Sequence, residues 1–129
     1  MSKKKSFSLE YDFHASRNML FQYLSTPSGL GEWFADNVNS RGEIFIFIWD
    51  DSEESAKLLR KSNNEKIQFQ WLDDEDSDYY FELRIQFDEI TKDVSLIVTD
   101  FADDEEEVEE SKLLWTNQIL DLKKVLGST

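Results

Sequence analysis

The chain has 129 residues, which is enough for one domain with a single hydrophobic core, and 14% of them are aromatic. Its 28 acidic residues against 14 Lys and Arg give a net charge of −14, which makes nucleic acids and anionic membranes poor partners. Cysteine is absent, which excludes disulfide and thiol chemistry, and no apolar run approaches the roughly 20 residues of a membrane span. We therefore expect one cytoplasmic domain over residues 1–129, with a core at 6–127 and a basic, flexible segment at 1–5.

The N-terminal quarter predicts a strand followed by two short helices. Apolar and polar residues alternate from Phe7 to Phe13, which indicates a half-buried strand. Ser16 is a typical N-cap for the helix that follows. Thr26 and Pro27 can begin a second helix, because proline is well tolerated at the first helical position.

The middle of the chain predicts a meander of antiparallel strands covered on one face. Residues 43–49 form one strand, and 56–61 form a weaker strand that we expect at an edge of the sheet. Alternating apolar and polar residues indicate three further strands, over 67–71, 79–87 and 94–101.

Residues 103–127 predict one long closing helix. Its first turn is acidic, as the helix dipole favours, and Gly127 is a plausible residue to end it. Spacings of 7, 4, 3 and 4 place five apolar residues on one stripe: Val108, Trp115, Ile119, Leu122 and Leu126. The sequence therefore predicts an α+β fold in which this helix packs across the sheet.

Two parts of the chain resemble a known superfamily. The segment Phe13-His14-Ala15-Ser16 opens a strand–helix–helix unit with Trp33 on its second helix, and the long last helix carries Trp115. In this order and pattern, residues 7–126 resemble the START-like, helix-grip (SRPBCC) superfamily, in its branch related to heat-shock ATPase activators. The resemblance implies a curved sheet gripped by the last helix and a cavity between them, which often holds apolar small molecules. It brings no catalytic signature.

The lining of such a cavity would come from the inward strand rows and the helix stripe. These large side chains either line a cavity or fill it completely. The predicted lining residues are Phe69, Trp71, Phe81, Leu83, Phe87, Trp115 and Ile119. The corresponding function is a non-enzymatic module, without a cofactor, that binds a hydrophobic small molecule or lipid.

Two other functions remain open. One is an adaptor or chaperone-type cofactor that uses acidic or apolar surfaces, since three acidic tracts at 50–54, 73–78 and 103–110 suit a basic partner. The other, least favoured, is a cyclase-type enzyme. Its inward polar groups would be only Tyr11, Tyr23 and Tyr79, while the single histidine, His14, is expected at the surface or as a cap.

The strand at 44–49 breaks the alternating pattern, because both of its faces are apolar. One face either lies exposed and marks an interface, or both faces are buried. The exposed row would be either Ile44, Ile46 and Ile48 or Phe45, Phe47 and Trp49, and the predicted interface uses the second row. Together with Leu113 and Leu120 on the last helix, it predicts a homodimer.

The acidic tract at 73–78 invites a calcium reading. Asp74, Asp76 and Asp78 have the first spacing of an EF-hand loop, but Tyr79 replaces the glycine expected at the sixth position. We expect a solvated hairpin loop and no metal site.

Overall fold

The computed structural model describes residues 3–127. Within them, seven strands form one antiparallel sheet in the order β1-β7-β6-β5-β4-β3-β2, accompanied by three α-helices. The elements are β1 Lys5–Phe13, α1 Arg17–Ser25, α2 Pro27–Leu30, β2 Asn37–Arg41, β3 Ile44–Trp49, β4 Ser52–Ser62, β5 Lys66–Trp71, β6 Phe81–Phe87, β7 Val94–Ala102 and α3 Glu105–Leu126. The predicted α+β, helix-grip architecture is confirmed. Within 3–127, no helix combines the length and the hydropathy needed to cross a bilayer.

The helix ends follow from local chemistry. The side chains of Ser16, Thr26 and Asp104 each accept a hydrogen bond from the backbone N–H three residues on, at 2.9–3.1 Å. Such caps satisfy donors that have no partner inside a helix. Gly127 ends α3 in the left-handed conformation, with φ of 69°. These four positions confirm the predicted starts of the helices and the predicted end of α3 to within two residues. The second helix is shorter than predicted, because α2 ends at Leu30 and Trp33 lies in the turn that follows it.

The edge of the sheet differs from the prediction. β4 pairs with both β3 and β5, so the expectation of an edge strand at 56–61 is wrong. The edge strand beside β3 is instead β2, whose only apolar residue is Val38. A strand so polar carries no alternating signal, which is why the sequence did not reveal it, and polar residues suit an exposed edge.

The first strand begins earlier in the chain than the predicted core. Lys5 already belongs to β1, and its ammonium lies 2.8 Å from the carboxylate of Glu105 at the start of α3. The backbone N–H of Lys4 donates to the hydroxyl of Tyr79 at 3.0 Å. Positions 4 and 5 of the predicted flexible segment at 1–5 therefore make contacts with the fold, while residues 1 and 2 lie outside the described residues.

One face of the sheet, the covered face, carries the core. α3 packs on β1 and β7, and α1 packs on β5 and β6. Directly paired strand residues share a face, so each strand contributes alternate apolar side chains to this layer. Those buried on it include Phe13, Phe45, Phe47, Ile67, Phe69, Phe81, Leu83, Leu96 and Val98.

Phe34, in the connection between α2 and β2, lies inside the gap between the covered face and α3. Its ring centroid is 5.1 Å from that of Phe47 on β3 and 5.8 Å from that of Phe81 on β6. On the other side it lies 5.7 Å from Trp115 on α3. Such distances are those of aromatic rings in contact, so Phe34 fills the space between the two layers.

Hydrogen bonds fix the backbone of Phe34, in addition to the packing of its ring. Its carbonyl accepts hydrogen bonds from the indole N–H of Trp49 at 3.2 Å and from the amide of Gln118 at 3.1 Å. A carbonyl oxygen has two lone pairs and can accept both bonds. The connection is thereby tied to β3 and to α3 at once.

We expect Phe34→Ala to lower the free energy of unfolding by about 3–5 kcal/mol, because the truncation leaves a cavity between sheet and helix that its neighbours cannot close. Urea denaturation measures the change. Leu120→Ala is the control, since Leu120 is 51% exposed on α3 and its truncation should cost less than about 0.5 kcal/mol. Equal losses for the two variants would contradict a packed position for Phe34.

Candidate functional site

Most of the predicted cavity lining lies in the filled interior. Phe69, Phe81, Leu83 and Ile119 are at most 1% exposed. The rings of Phe69 and Phe81 stack with centroids 5.3 Å apart. These side chains therefore support the core from within and do not face an opening.

The other predicted lining residues separate into two places. Trp71 and Trp115 reach a cleft on the surface, where α3 passes over the sheet. Phe87 lies at the opposite end of β6, with the guanidinium of Arg17 3.9 Å from its ring centroid. The structure thus brings two members of the predicted set to the cleft, where Trp71 is half-buried and Trp115 is buried, 6% exposed.

The cleft consists of two adjoining volumes, of about 560 Å³ and about 230 Å³, which share Phe34, Trp49 and Gln118. Its first wall is one side of α3. Spacings of 3, 4, 3 and 4 place the residues of this wall along a single flank of the helix. They are Ser111, Leu114, Gln118, Asp121 and Val125.

The second wall comes from the sheet and from the connection after α2. Residues 31–36 form the wide end of the cleft. Trp49, Glu54, Trp71 and Asp100 form the narrow end, opposite α3. Glu54 pairs with Phe47 and Asp100 with Phe7 in the strand register, which places both carboxylates on the covered face.

Three tryptophans contribute to the lining of the narrow end, two of them half-buried and one, Trp115, buried. Trp49 is the last residue of β3, Trp71 is the last of β5, and Trp115 lies in the middle of α3. The ring centroids of Trp49 and Trp115 lie 6.1 Å and 5.7 Å from that of Phe34, and Trp71 lies 5.2 Å from Phe81. The filled interior is therefore the floor of this end of the cleft, and the indoles are its sides.

Asp100 is the acidic group set deepest in the cleft. The indole N–H of Trp115 donates to its Oδ2 at 2.9 Å, and the backbone N–H of Phe101 donates to its Oδ1 at 2.8 Å. Burial raises the pKa of this carboxyl, an effect that these hydrogen bonds and the charge of Lys4 offset only in part, while Asp74 adds to it. A carboxylate in this position has lost water and gains from a cationic partner.

Asp100 was missed by the sequence analysis, although the sequence contains its signal. The inward row of β7 runs Val94, Leu96, Val98, and strict alternation continues it to Asp100. A charged residue on an otherwise apolar inward row is a reason to suspect a site.

The polar groups considered for an enzyme do not converge. Tyr11 shares a hydrogen bond of 2.9 Å with the hydroxyl of Thr116, whereas Tyr79 accepts from the backbone near the N-terminus. Tyr23 lines a separate, small hollow between α1 and α2. His14 is exposed just after β1, as expected for a surface residue.

The apolar strand β3 buries one face and half-buries the other. Phe45 and Phe47 are 6% and 0% exposed, so the interface reading does not hold for these two side chains, because they pack in the core. The opposite row, Ile44, Ile46 and Ile48, is only partly buried. This row belongs to the outer face of the sheet.

The remaining predicted interface residues are accessible. Leu113 and Leu120 are 63% and 51% exposed and lie two turns apart on α3. Trp49 is partly buried and belongs to the cleft.

The acidic tract at 73–78 begins with a short 3₁₀ turn at 72–74. The hydroxyl of Ser77 closes the tract by donating to the carbonyl of Asp74 at 2.7 Å. Across residues 3–127, no three His, Asp or Glu side chains are grouped so that they could hold a metal ion.

Comparisons with known proteins agree with this architecture. A family model described as START-like superfamily domain matches residues 1–128. A Bacteroides fragilis protein solved by NMR is 36% identical over 97% of this chain and 92% of its own, with a TM-score of 0.69. The Aha1 dimer from Colwellia psychrerythraea is 16% identical, with a TM-score of 0.78 and coverage of 95% and 96% of the two chains. A search of curated proteins found no match.

Asp100→Asn is expected to change how stability depends on pH. The pKa of Asp100 in the folded chain lies above its ordinary value of 3.8 in the unfolded chain, so ionisation in the folded state carries a penalty. That penalty is fully present above the folded pKa and is lost as the pH falls through it toward 3.8. The melting temperature of the variant, relative to the unaltered protein, should therefore rise between pH 4 and pH 7.

Thermal unfolding followed by circular dichroism across that range measures the difference. Any hydrogen bond lost to the amide shifts the difference by an amount that does not vary with pH, so only the slope is informative. Glu106→Gln, at an exposed position of α3, reports the effect of removing one surface carboxylate. A difference for Asp100→Asn that stays flat, or falls as the pH rises, would refute a desolvated Asp100.

Proposed function

The chain belongs to the START-like superfamily, and from that premise we propose that it is a non-enzymatic binding module for a small molecule held in the cleft beside α3. The observation that carries the proposal is the narrow end of the cleft, where Trp49, Trp71 and Trp115 meet the carboxylate of Asp100. Aromatic walls with a few fixed polar groups are typical of ligand sites.

Because the interior is filled, the surface cleft is favoured as the ligand site, and a deep cavity is not. Phe34 occupies the gap between the covered face and α3, with rings packed against it on both sides. A lipid-sized ligand inside the domain would have to displace it. Of the predicted lining, Trp71 and Trp115 therefore belong to the proposed site, and the other members lie behind them or elsewhere on the sheet.

Binding is favoured over a cyclase-type reaction. That reaction needs polar groups that converge on one bound molecule. The hydroxyl of Tyr11 is bonded to Thr116 on α3, and that of Tyr79 to the backbone of Lys4. Tyr23 lines the separate hollow between α1 and α2.

The exposed leucines of α3 support a second candidate, an adaptor or homodimer. Leu113 and Leu120 form an apolar pair on the surface of an otherwise polar helix face. Exposed apolar side chains in such a row suit burial against a second chain. The homodimer, like the cytoplasmic location, remains a prediction from the sequence.

A single substitution at the lip of the cleft tests the proposed function. Leu114 is 65% exposed on the α3 flank of the cleft, so Leu114→Arg should block it without unfolding the protein. A ligand-observed NMR screen of neutral, anionic and cationic small molecules should find compounds whose affinity this variant lowers by at least about tenfold.

Leu120→Arg is the matched control, because it makes the same change on the same helix outside the cleft. It should retain every such compound. A screen in which no compound distinguishes the two variants would refute the cleft as the ligand site.

A further inference from the structure

The charged side chains on the walls of the cleft indicate the sign of the charge on its ligand. Its walls carry one cationic side chain, Lys124, at the wide end. They also carry five carboxylates, namely Glu32, Asp36 and Asp121 around the wide end, and Glu54 and Asp100 around the narrow end. Four of these five carboxylates are exposed and Asp100 is partly buried. A groove lined mostly by one sign of charge concentrates ions of the opposite sign, so the cleft favours cations over anions.

The aromatic rings of the cleft indicate which class of cation it would bind. The faces of an indole ring carry negative charge density, and tryptophan is the strongest aromatic partner for a cation. Three indoles contribute to the lining of an open hollow of about 230 Å³, below the roughly 300–1,000 Å³ of pockets for drug-sized ligands. A weakly hydrated organic ammonium group suits such walls, because its alkyl surface packs on the rings while its charge is retained.

The hydrogen bonds of the site leave the half-buried rings of Trp49 and Trp71 and the carboxylate of Asp100 available, whereas Trp115 is buried and stacks on Phe34. The indole N–H groups of Trp49 and Trp115 are used by the carbonyl of Phe34 and by Asp100, so these two rings are held in place by their edges. The ammonium of Lys4, which acts on Asp100 through space, contacts Asp74 at 3.6 Å and lies over the ring of Tyr79. The narrow end thus offers fixed indoles and a carboxylate set against them.

We propose that the narrow end of the cleft binds an organic ammonium ion, with the half-buried rings of Trp49 and Trp71 against the cation and Asp100 and Glu54 as its counter-charges. The buried Trp115 holds Asp100 in place by its indole N–H. This inference rests on the proposed function and names its ligand class as a free small molecule with a quaternary or alkylated amine. Any remaining part of the ligand extends along α3 into the wide end.

Choline and its uncharged isostere 3,3-dimethylbutan-1-ol provide the direct test, because they have nearly the same shape and differ in charge. Each is titrated into the full chain at constant ionic strength. The readouts are tryptophan fluorescence and the indole N–H signals of ¹⁵N-labelled protein. Choline should bind at least about tenfold more tightly than the alcohol and should move the signals of Trp49, Trp71 and Trp115.

Substitutions test which residues are responsible for choline binding. Asp100→Asn should weaken choline binding about tenfold, whereas Glu106→Gln, on an exposed face of α3, should leave it unchanged. Trp71→Leu removes one indole at a half-buried position and should also weaken choline binding. Amide spectra of the free variants establish that each is folded.

The outcomes separate this inference from the function on which it rests. Equal affinity for choline and the alcohol, lost in both cases with Leu114→Arg, would overturn the ammonium ligand and leave a neutral-ligand module. Choline that moves no cleft indole would overturn the inference as well, and the screen with Leu114→Arg and Leu120→Arg would then decide the function by itself.

Discussion

The packing of Phe34 between the sheet and α3 is the contact on which the rest of the structure depends. Its ring touches β3, β6 and α3, and its carbonyl binds side chains from β3 and α3. One residue of a connecting segment thereby joins the two layers of the domain. Because close-packed interiors lose several kcal/mol when a large side chain is removed, this position sets both the spacing of the layers and the size of any space between them.

The site follows from the same contact. With the centre of the gap occupied, the space beside Phe34 lies along the flank of α3, where the cleft runs from the α2–β2 connection to Asp100. Two of the hydrogen bonds that fix the core also fix the walls of the cleft, since they hold the indoles of Trp49 and Trp115. The cleft is therefore pre-formed, which lowers the entropic cost of ligand binding.

Periodic patterns predicted most of the fold, because β6, β7 and α3 each bury one regular face. The sequence failed where that regularity ends. β2 is too polar to show a pattern, so the sequence did not reveal the true edge strand. β4, which was expected at the edge, lies between β3 and β5. The site was predicted only in part, since Trp71 and Trp115 lie on periodic rows, whereas Phe34 belongs to a connection whose position depends on tertiary contacts. Alternation could have identified Asp100, but it cannot show that Phe34 fills the predicted cavity.

The most direct test of this account is a nuclear Overhauser measurement on the protein in solution, with assigned aromatic side chains. The account predicts cross-peaks from the ring protons of Phe34 to those of Phe47 and Phe81 on the sheet and to the indole of Trp115 on α3, with centroids 5.1–5.8 Å apart. Cross-peaks to only one layer, or none, would mean that Phe34 lies outside the gap. The space between sheet and helix would then be open, and the cleft would no longer be the favoured site.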